Sequence, residues 1–226
     1  MGTKLSLDDK ELITLDMYNK TAQKWAATSD GIGHDGKYLW GKATEMFQGL
    51  AAFAPSGDQG RQNLLEVGSG TGRDAKLLSK LYNYVGTDAS EAFIEVAQQA
   101  TLGMLSADTF RLMSVYDLKD KFPPGSFDLF WSCATLLHCS KNRMQEALGS
   151  IRSVVKDGAV GFISLKEGDG EELDHYDGLP RYFMYWRREE FESELDRAGF
   201  KILEFHTKPA RKNFLCYFVQ KLPEAR

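Results

Sequence analysis

The twelve residues from Leu64 to Ala75, Leu-Leu-Glu-Val-Gly-Ser-Gly-Thr-Gly-Arg-Asp-Ala, run from an apolar stretch through three alternating glycines into a helix start. An apolar run ending at Val67 suits a buried parallel strand, and the glycines let backbone approach a ligand closely. The helix beyond turns free N–H groups toward that ligand. The chemistry this implies is capture of a nucleoside cofactor. A dinucleotide loop reads G-x-G-x-x-G, but here the glycines fall at 68, 70 and 72, and Arg73 fills the place of the third fingerprint glycine. That large side chain argues against NAD. Glu66, at the strand end, would repel a pyrophosphate but could help to orient a cationic ligand.

S-adenosylmethionine (SAM), with its sulfonium and ammonium groups, is such a ligand, and the loop resembles the first motif of the class I SAM-dependent methyltransferases, an acidic residue followed by G-x-G-x-G. The stretch Tyr84-Val85-Gly86-Thr87-Asp88-Ala89-Ser90 is similar to the family's second strand. There the resemblance implies that Asp88 takes both ribose hydroxyls, because a vicinal diol pairs well with one bidentate acceptor. Gly125 to Ser132 resembles the fourth strand, and Val154 to Val160 the turn into the fifth. The G-T-G-R-D-A loop together with Lys166-Glu167-Gly168 resembles a narrower group of small, mostly uncharacterised methyltransferases. The fold implied is α/β: a Rossmann-like, doubly wound, seven-stranded sheet, mostly parallel with a terminal antiparallel strand, plus N-terminal helices. Carried onto this sequence, the cofactor residues are Tyr18, Glu66, Gly68, Ser69, Gly70, Gly72, Arg73, Asp88, Ala89, Ser114, Val115 and Cys133. Ser114 stands where the family usually has an adenine-binding acid, which leaves Asp117 as a substitute. Cys133 is expected to offer its backbone carbonyl to the methionine ammonium, and Arg73 and Asp74 either touch the cofactor or brace the helix start.

Methyl transfer from a sulfonium is an in-line displacement with an activated donor, so alignment, desolvation and, where needed, proton removal are the enzyme's tasks. His138, just beyond the fourth strand, is the candidate general base. Beyond the fifth strand an acidic loop from Asp169 to Asp177 leads into Arg181-Tyr182-Phe183-Met184-Tyr185-Trp186-Arg187-Arg188. There Lys166 or Arg181 could hold an anionic group of the acceptor, with Tyr185 and Trp186 packing its apolar part; the alternative is a surface strand covering the domain. The acidic run fits no metal-ligand spacing, so no metal is expected.

The elements that must position these residues read as one domain over 1–226, a helical lid at 1–54 and a Rossmann-like core at 62–226. Residues about 8 to 28 and 36 to 53 read as helices, with a loop at 29–36 and a linker at 54–61. Leu12, Leu15, Tyr18, Ala22 and Trp25 are the expected stripe of the first, and Leu77, Leu78 and Leu81 of the helix after the glycine loop. A chain of 226 residues, 42% hydrophobic, suffices for one such core. A net charge of −4 offers no basic field for a phosphate backbone, so no nucleic-acid partner is expected. The N-terminus lacks a secretory pattern, no window approaches ~18 consecutive apolar residues, and the three cysteines form no C-x-x-C pair. These features point to a soluble cytoplasmic protein without a membrane partner. The function expected is SAM-dependent O- or N-methylation of a small molecule. An RNA or protein methyltransferase and a non-catalytic SAM-binding module are the alternatives.

Overall fold

The computed structural model describes residues 7–29, 31–32, 38–55 and 60–224. The centres of the expected loop (30 and 33–37) and linker (56–59) lie outside the described residues. In chain order the elements are α1 (Asp9–Thr28), α2 (Gly41–Ala51), β1 (Asn63–Val67), α3 (Ala75–Leu81), β2 (Asn83–Asp88), α4 (Glu91–Ala100), β3 (Phe110–Leu112), α5 (Leu118–Lys121), β4 (Phe127–Cys133), α6 (Met144–Val154), β5 (Val155–Lys166), β6 (Glu171–Tyr176), β7 (Leu179–Met184), α7 (Arg188–Arg197), β8 (Phe200–Lys208) and β9 (Phe214–Lys221).

Seven strands form one sheet in the order β3-β2-β1-β4-β5-β9-β8, parallel except that β9 runs antiparallel to both its neighbours. Strand periodicity of two divides the apolar residues between two cores. Leu64, Leu129, Trp131, Phe162 and Phe218 face α2, α3 and α4, while Leu65, Val67, Phe130, Ile163 and Tyr217 face α5, α6 and α7. Both faces are covered, which is why β1 and β4 are apolar nearly throughout rather than alternating. The order reverses beside β1: the chain winds outward to β3 on one side and resumes at β4 on the other, so the C-terminal ends of β1 and β4 flank the crevice where such sheets bind ligands.

The helices depart from the expected pattern in instructive ways. In α6, Met144, Ala147, Leu148 and Ile151 are buried as their spacing predicts. In α3, Ala75 and Leu78 are buried but Leu81 is exposed, because the helix ends at that residue. α1 buries Glu11, Thr14, Met17, Thr21 and Ala22, whereas Leu12 faces outward. Its inner face is largely polar because Glu11 and Thr14 bond to Tyr116, Arg143 and the Tyr182 N–H. Of the two N-terminal helices, α1 roofs the crevice. α2 instead joins the core, with Phe47 fully buried and edge-on to Trp131 at 5.2 Å.

The acidic stretch expected as a loop is the first strand of a hairpin, β6 with β7, paired from Glu171–Met184 to Tyr176–Leu179. Asp177 and Gly178 form its tip, with φ of 55° and 77°. Two left-handed residues in a two-residue connection are what a right-twisted hairpin requires, and Asp-Gly is a preferred pair for it.

Candidate active site

The cleft lies at the C-terminal ends of β1, β2 and β4, floored by the glycine loop and roofed by α1. The three loop glycines all have positive φ, but each serves a different purpose. A Cβ on Gly68 would lie 2.2 Å from the Thr135 side chain, and one on Gly72 3.1 Å from the Cβ of Ala97 in α4. These two let the loop pack. A Cβ on Gly70 would meet nothing within 4 Å, so its absence widens the cleft itself.

Asp88, ending β2, is tied to that loop. Its carboxylate accepts from the Gly70 N–H at 2.8 Å and from the Ser90 N–H at 2.9 Å. Burial pushes its pKa up to about 6, against the lowering effect of the Ser90, Gly70 and Ala89 amides. These donors still leave a carboxylate lone pair available for a diol. Glu66 lies beneath, 2% exposed, accepting from the Tyr84 hydroxyl. Burial, reinforced by the nearby charge of Asp74, raises its pKa well above the usual carboxylate range. The Ser69 hydroxyl is buried at the cleft wall with no hydrogen-bond partner among the described residues.

Arg73 and Asp74 are resolved as a brace that also faces the cleft. Arg73 pairs with Asp74, which is 2% exposed and further accepts from the Tyr38 hydroxyl and from Trp131 Nε1 at 2.8 Å. Although burial opposes it, Arg73 with these donors holds the Asp74 carboxyl below its usual range. Arg73 also approaches Cys133 Sγ at 3.3 Å and lines the cleft. Cys133 is followed by Ala134, whose φ of 57° is unusual for a residue with a side chain. Burial pushes the Cys133 thiol well above its ordinary range, which removes it as a nucleophile.

Beyond β3, Ser114 donates to the Asp117 carboxylate at 2.7 Å, and Asp117 also accepts the Ser114 N–H at 3.2 Å. Asp117 is thereby committed to a local turn and does not line the cleft; Met113, Ser114, Val115 and Tyr116 do. Glu11 of α1 enters here, buried, accepting from the Tyr116 hydroxyl and from Arg143 at 2.9 Å. This roof contact had a sequence signal. Asp8 and Glu11 form a capping box, D-x-x-E before a helix.

At the other end Tyr18 lies 3.0 Å from His138 Nε2, while His138 Nδ1 lies 2.7 Å from the Tyr182 carbonyl oxygen. A carbonyl only accepts, so Nδ1 carries the proton and Nε2 accepts from the phenol. Desolvation in the closed cleft, with the charges of Arg181 and Lys166, outweighs the Tyr182 hydrogen bond and lowers the His138 pKa to about 3. Burial likewise raises Tyr18 to about 12, against Arg181.

Of the expected cofactor residues, all but Gly72 line the cleft. The expected substrate residues are not brought into it. Trp186 is fully buried against Phe191. Tyr185 is buried, stacked on Phe183, and donates to Glu172 at 2.9 Å. Arg181 stands behind the wall, its guanidinium 5.3 Å from the Trp25 ring, 4.5 Å from Phe183 and bonded to Asp174 at 3.0 Å. Lys166 stands over Phe183 at 5.1 Å. The acidic run serves as anchorage: Asp169, Glu171, Glu172, Asp174 and Asp177 each pair with a cation, and no described His, Cys, Asp or Glu residues cluster as a metal site.

Comparison with known proteins agrees with this geometry. Residues 64–158 match the model of a methyltransferase domain family. A curated relative, the highly reducing polyketide synthase sthA of Phaeosphaeria nodorum, is 29% identical over 113 residues; the match covers 47% of this chain, which spans 4% of that protein's length. Among solved structures, the cyclase SpnF superposes with a TM-score of 0.71 at 16% identity, covering 97% of this chain and 99% of its own. The 1,6-didemethyltoxoflavin-N1-methyltransferase of Burkholderia thailandensis, solved with its acceptor and S-adenosylhomocysteine, gives 0.64 at 18% identity, covering 99% and 94%. At such identities the likeness is one of fold. The fold is the one these solved structures share, and residues 64–158 match a methyltransferase domain.

Proposed function

We propose that this protein transfers a methyl group from SAM to a small molecule bearing an anionic group, in the cytoplasm and without a nucleic-acid partner. The observation that carries the reading is the cradle itself: open space at Gly70, an Asp88 carboxylate with lone pairs to spare and an unpartnered Ser69 hydroxyl meet in one cleft. These groups fit a nucleoside with a free diol. Asp88 would take the ribose hydroxyls, Ser114 and Val115 the adenine, and the Cys133 carbonyl the ammonium, with Arg73 beside it. When bound, SAM supplies an activated methyl group on a positive sulfur. The roof formed by α1 supports a small acceptor, since Tyr18 and Trp25 close the cleft above. Lys166 and Arg181, both acting on His138, support an anionic one. Arg181 occupies the box formed by Trp25, Tyr176 and Phe183, which removes it as a cage for a cationic acceptor.

A second reading rests on the cyclase neighbour: a fold of this kind also carries chemistry other than methyl transfer. Calorimetry with SAM, S-adenosylhomocysteine and NAD, followed by transfer of a labelled methyl group, separates the readings. Micromolar binding of the first two without NAD is expected. Tighter binding of NAD would overturn the cofactor assignment, and binding without any transfer would favour the second reading.

A further inference from the structure

Among the described residues, the acceptor end of the cleft has no group free to remove a proton. Both nitrogens of His138 are engaged, Nδ1 as donor to Tyr182 and Nε2 as acceptor from Tyr18. Tyr18, from α1, is a neutral phenol whose proton points at that ring. The charged groups acting on the ring are Arg181 of β7 and Lys166 of β5, both cations. A proton taken by His138 would therefore add a third positive charge to that cluster. Elsewhere in the cleft, Asp88 lies at the ribose end, where its remaining lone pairs are taken by the diol, and Glu11 is committed to Tyr116 and Arg143 at the adenine end.

The cations themselves are under-compensated. Arg181 spends one terminal nitrogen on Asp174, while its Nε–H is buried without a partner among the described residues. Lys166 makes no ion pair with a described carboxylate; its ammonium lies over the rings of Phe183 and Phe214. Although neither cation lines the cleft, their charges act through its wall on His138 and favour a ligand that brings negative charge and requires no base.

We propose that the atom methylated is an oxygen of a carboxylate, so that the product is a methyl ester; this rests on the methyl-transfer reading above. A carboxylic acid with an ordinary pKa of about 4 is ionised at neutral pH, whereas an alcohol, a phenol or an ammonium group must first lose a proton. In the step, a lone pair on the carboxylate oxygen forms the new O–CH3 bond as the S–CH3 bond breaks, and that bond's electron pair stays on sulfur. One negative and one positive charge disappear, no proton moves, and the products are a neutral ester and a neutral thioether. A closed, poorly solvated cleft favours a reaction that cancels charge. The ester then lacks the charge that Arg181 and Lys166 attract, which loosens the product. His138 is in this scheme a positioning residue that fixes the Tyr18 hydroxyl.

The test is to incubate the intact chain with SAM labelled in its methyl group and the small-molecule fraction of a cell extract, then to treat labelled products with mild alkali. Release of the label as methanol is expected. Label that survives alkali, as in an amine or an ether, overturns the ester while leaving methyl transfer intact. Absence of any labelled product overturns the methyl-transfer reading and the ester with it. Independently of turnover, ring-nitrogen NMR of His138 should show the Nδ1–H tautomer from pH 5 to 8; protonation with a midpoint near 6.5 overturns the proposal.

Discussion

Asp88 is the residue whose loss should cost most in cofactor binding. Asp88→Ala deletes the acceptor for two hydroxyls and leaves them unpaired in a mostly closed site, about 1–3 kcal/mol or roughly five- to 150-fold in Kd for SAM. Calorimetry on a folded variant checks it, and unchanged affinity would remove the proposed geometry. The pH dependence has a definite sign. The free protein holds a proton on Asp88 below about pH 6, and a diol binds best to the ionised form. Affinity should therefore be level above that pH and weaken below it, by no more than about tenfold per pH unit, the limit for one proton. Glu66→Gln should change affinity far less, because the amide oxygen can still accept from the Tyr84 hydroxyl and burial already disfavours a charge on Glu66. The glycines, Glu66 and Asp88 were legible from sequence because they sit at strand ends of one local unit. The Tyr18–His138 contact was not, since its partners are 120 residues apart and only the tertiary fold joins them.

The elements above the sheet divide differently from their order in the chain. α1 and the β6–β7 hairpin are stitched along their lengths: Lys10 pairs with Glu171 at 2.6 Å, the Tyr182 N–H donates to Thr14 at 2.9 Å, Lys24 pairs with Asp177, and Thr28 meets the Tyr176 hydroxyl at 3.0 Å. Each exposed ion pair contributes little by itself, about 0–1 kcal/mol. Together they make a roof with weak individual fastenings, and Gly168 and Gly170, both with positive φ, join it to β5. Hydrogen exchange should show residues 9–28 and 166–186 gaining protection together on saturation with SAM or its demethylated product, while α2 changes little. Protection confined to α2, or none in either roof segment, would show that the roof is not a lid. The hairpin escaped the sequence reading for a physical reason. In Glu171-Glu172-Leu173-Asp174-His175-Tyr176 nothing alternates between apolar and polar, because its outer strand bonds to cations and not to a core. The Asp177-Gly178 turn was the signal available. The sheet, by contrast, was readable strand by strand, since strands covered on both faces must be apolar.

For the molecule as a whole, charge and closure both restrict the acceptors open to the proposed methyl transfer. A net charge of −4 gives no long-range attraction for a polyanion, and among the described residues no helix is long and apolar enough to cross a membrane. The cleft is moreover closed by a roof anchored at its N-terminal end in the protein interior. Glu11, 6% exposed, joins α1 to Arg143 and to Tyr116, and Arg143 lies 3.4 Å over the Tyr116 ring. Breaking a buried pair of this kind by removing one partner costs about 3–5 kcal/mol. Glu11→Ala should therefore lower thermal stability by several degrees and increase exchange in α1, and Glu11→Gln, which keeps the side chain's volume and one of its two acceptor oxygens, by less. A polymer threading the cleft would have to displace that anchored helix, whereas a small molecule needs only a transient opening. Offered labelled SAM and an extract divided into RNA, protein and a filtrate of small molecules, the chain should transfer label to the filtrate alone. Label in the RNA or protein fraction, with none in the filtrate, would mean that the roof swings aside far enough to admit a chain and that the acceptor reading is wrong.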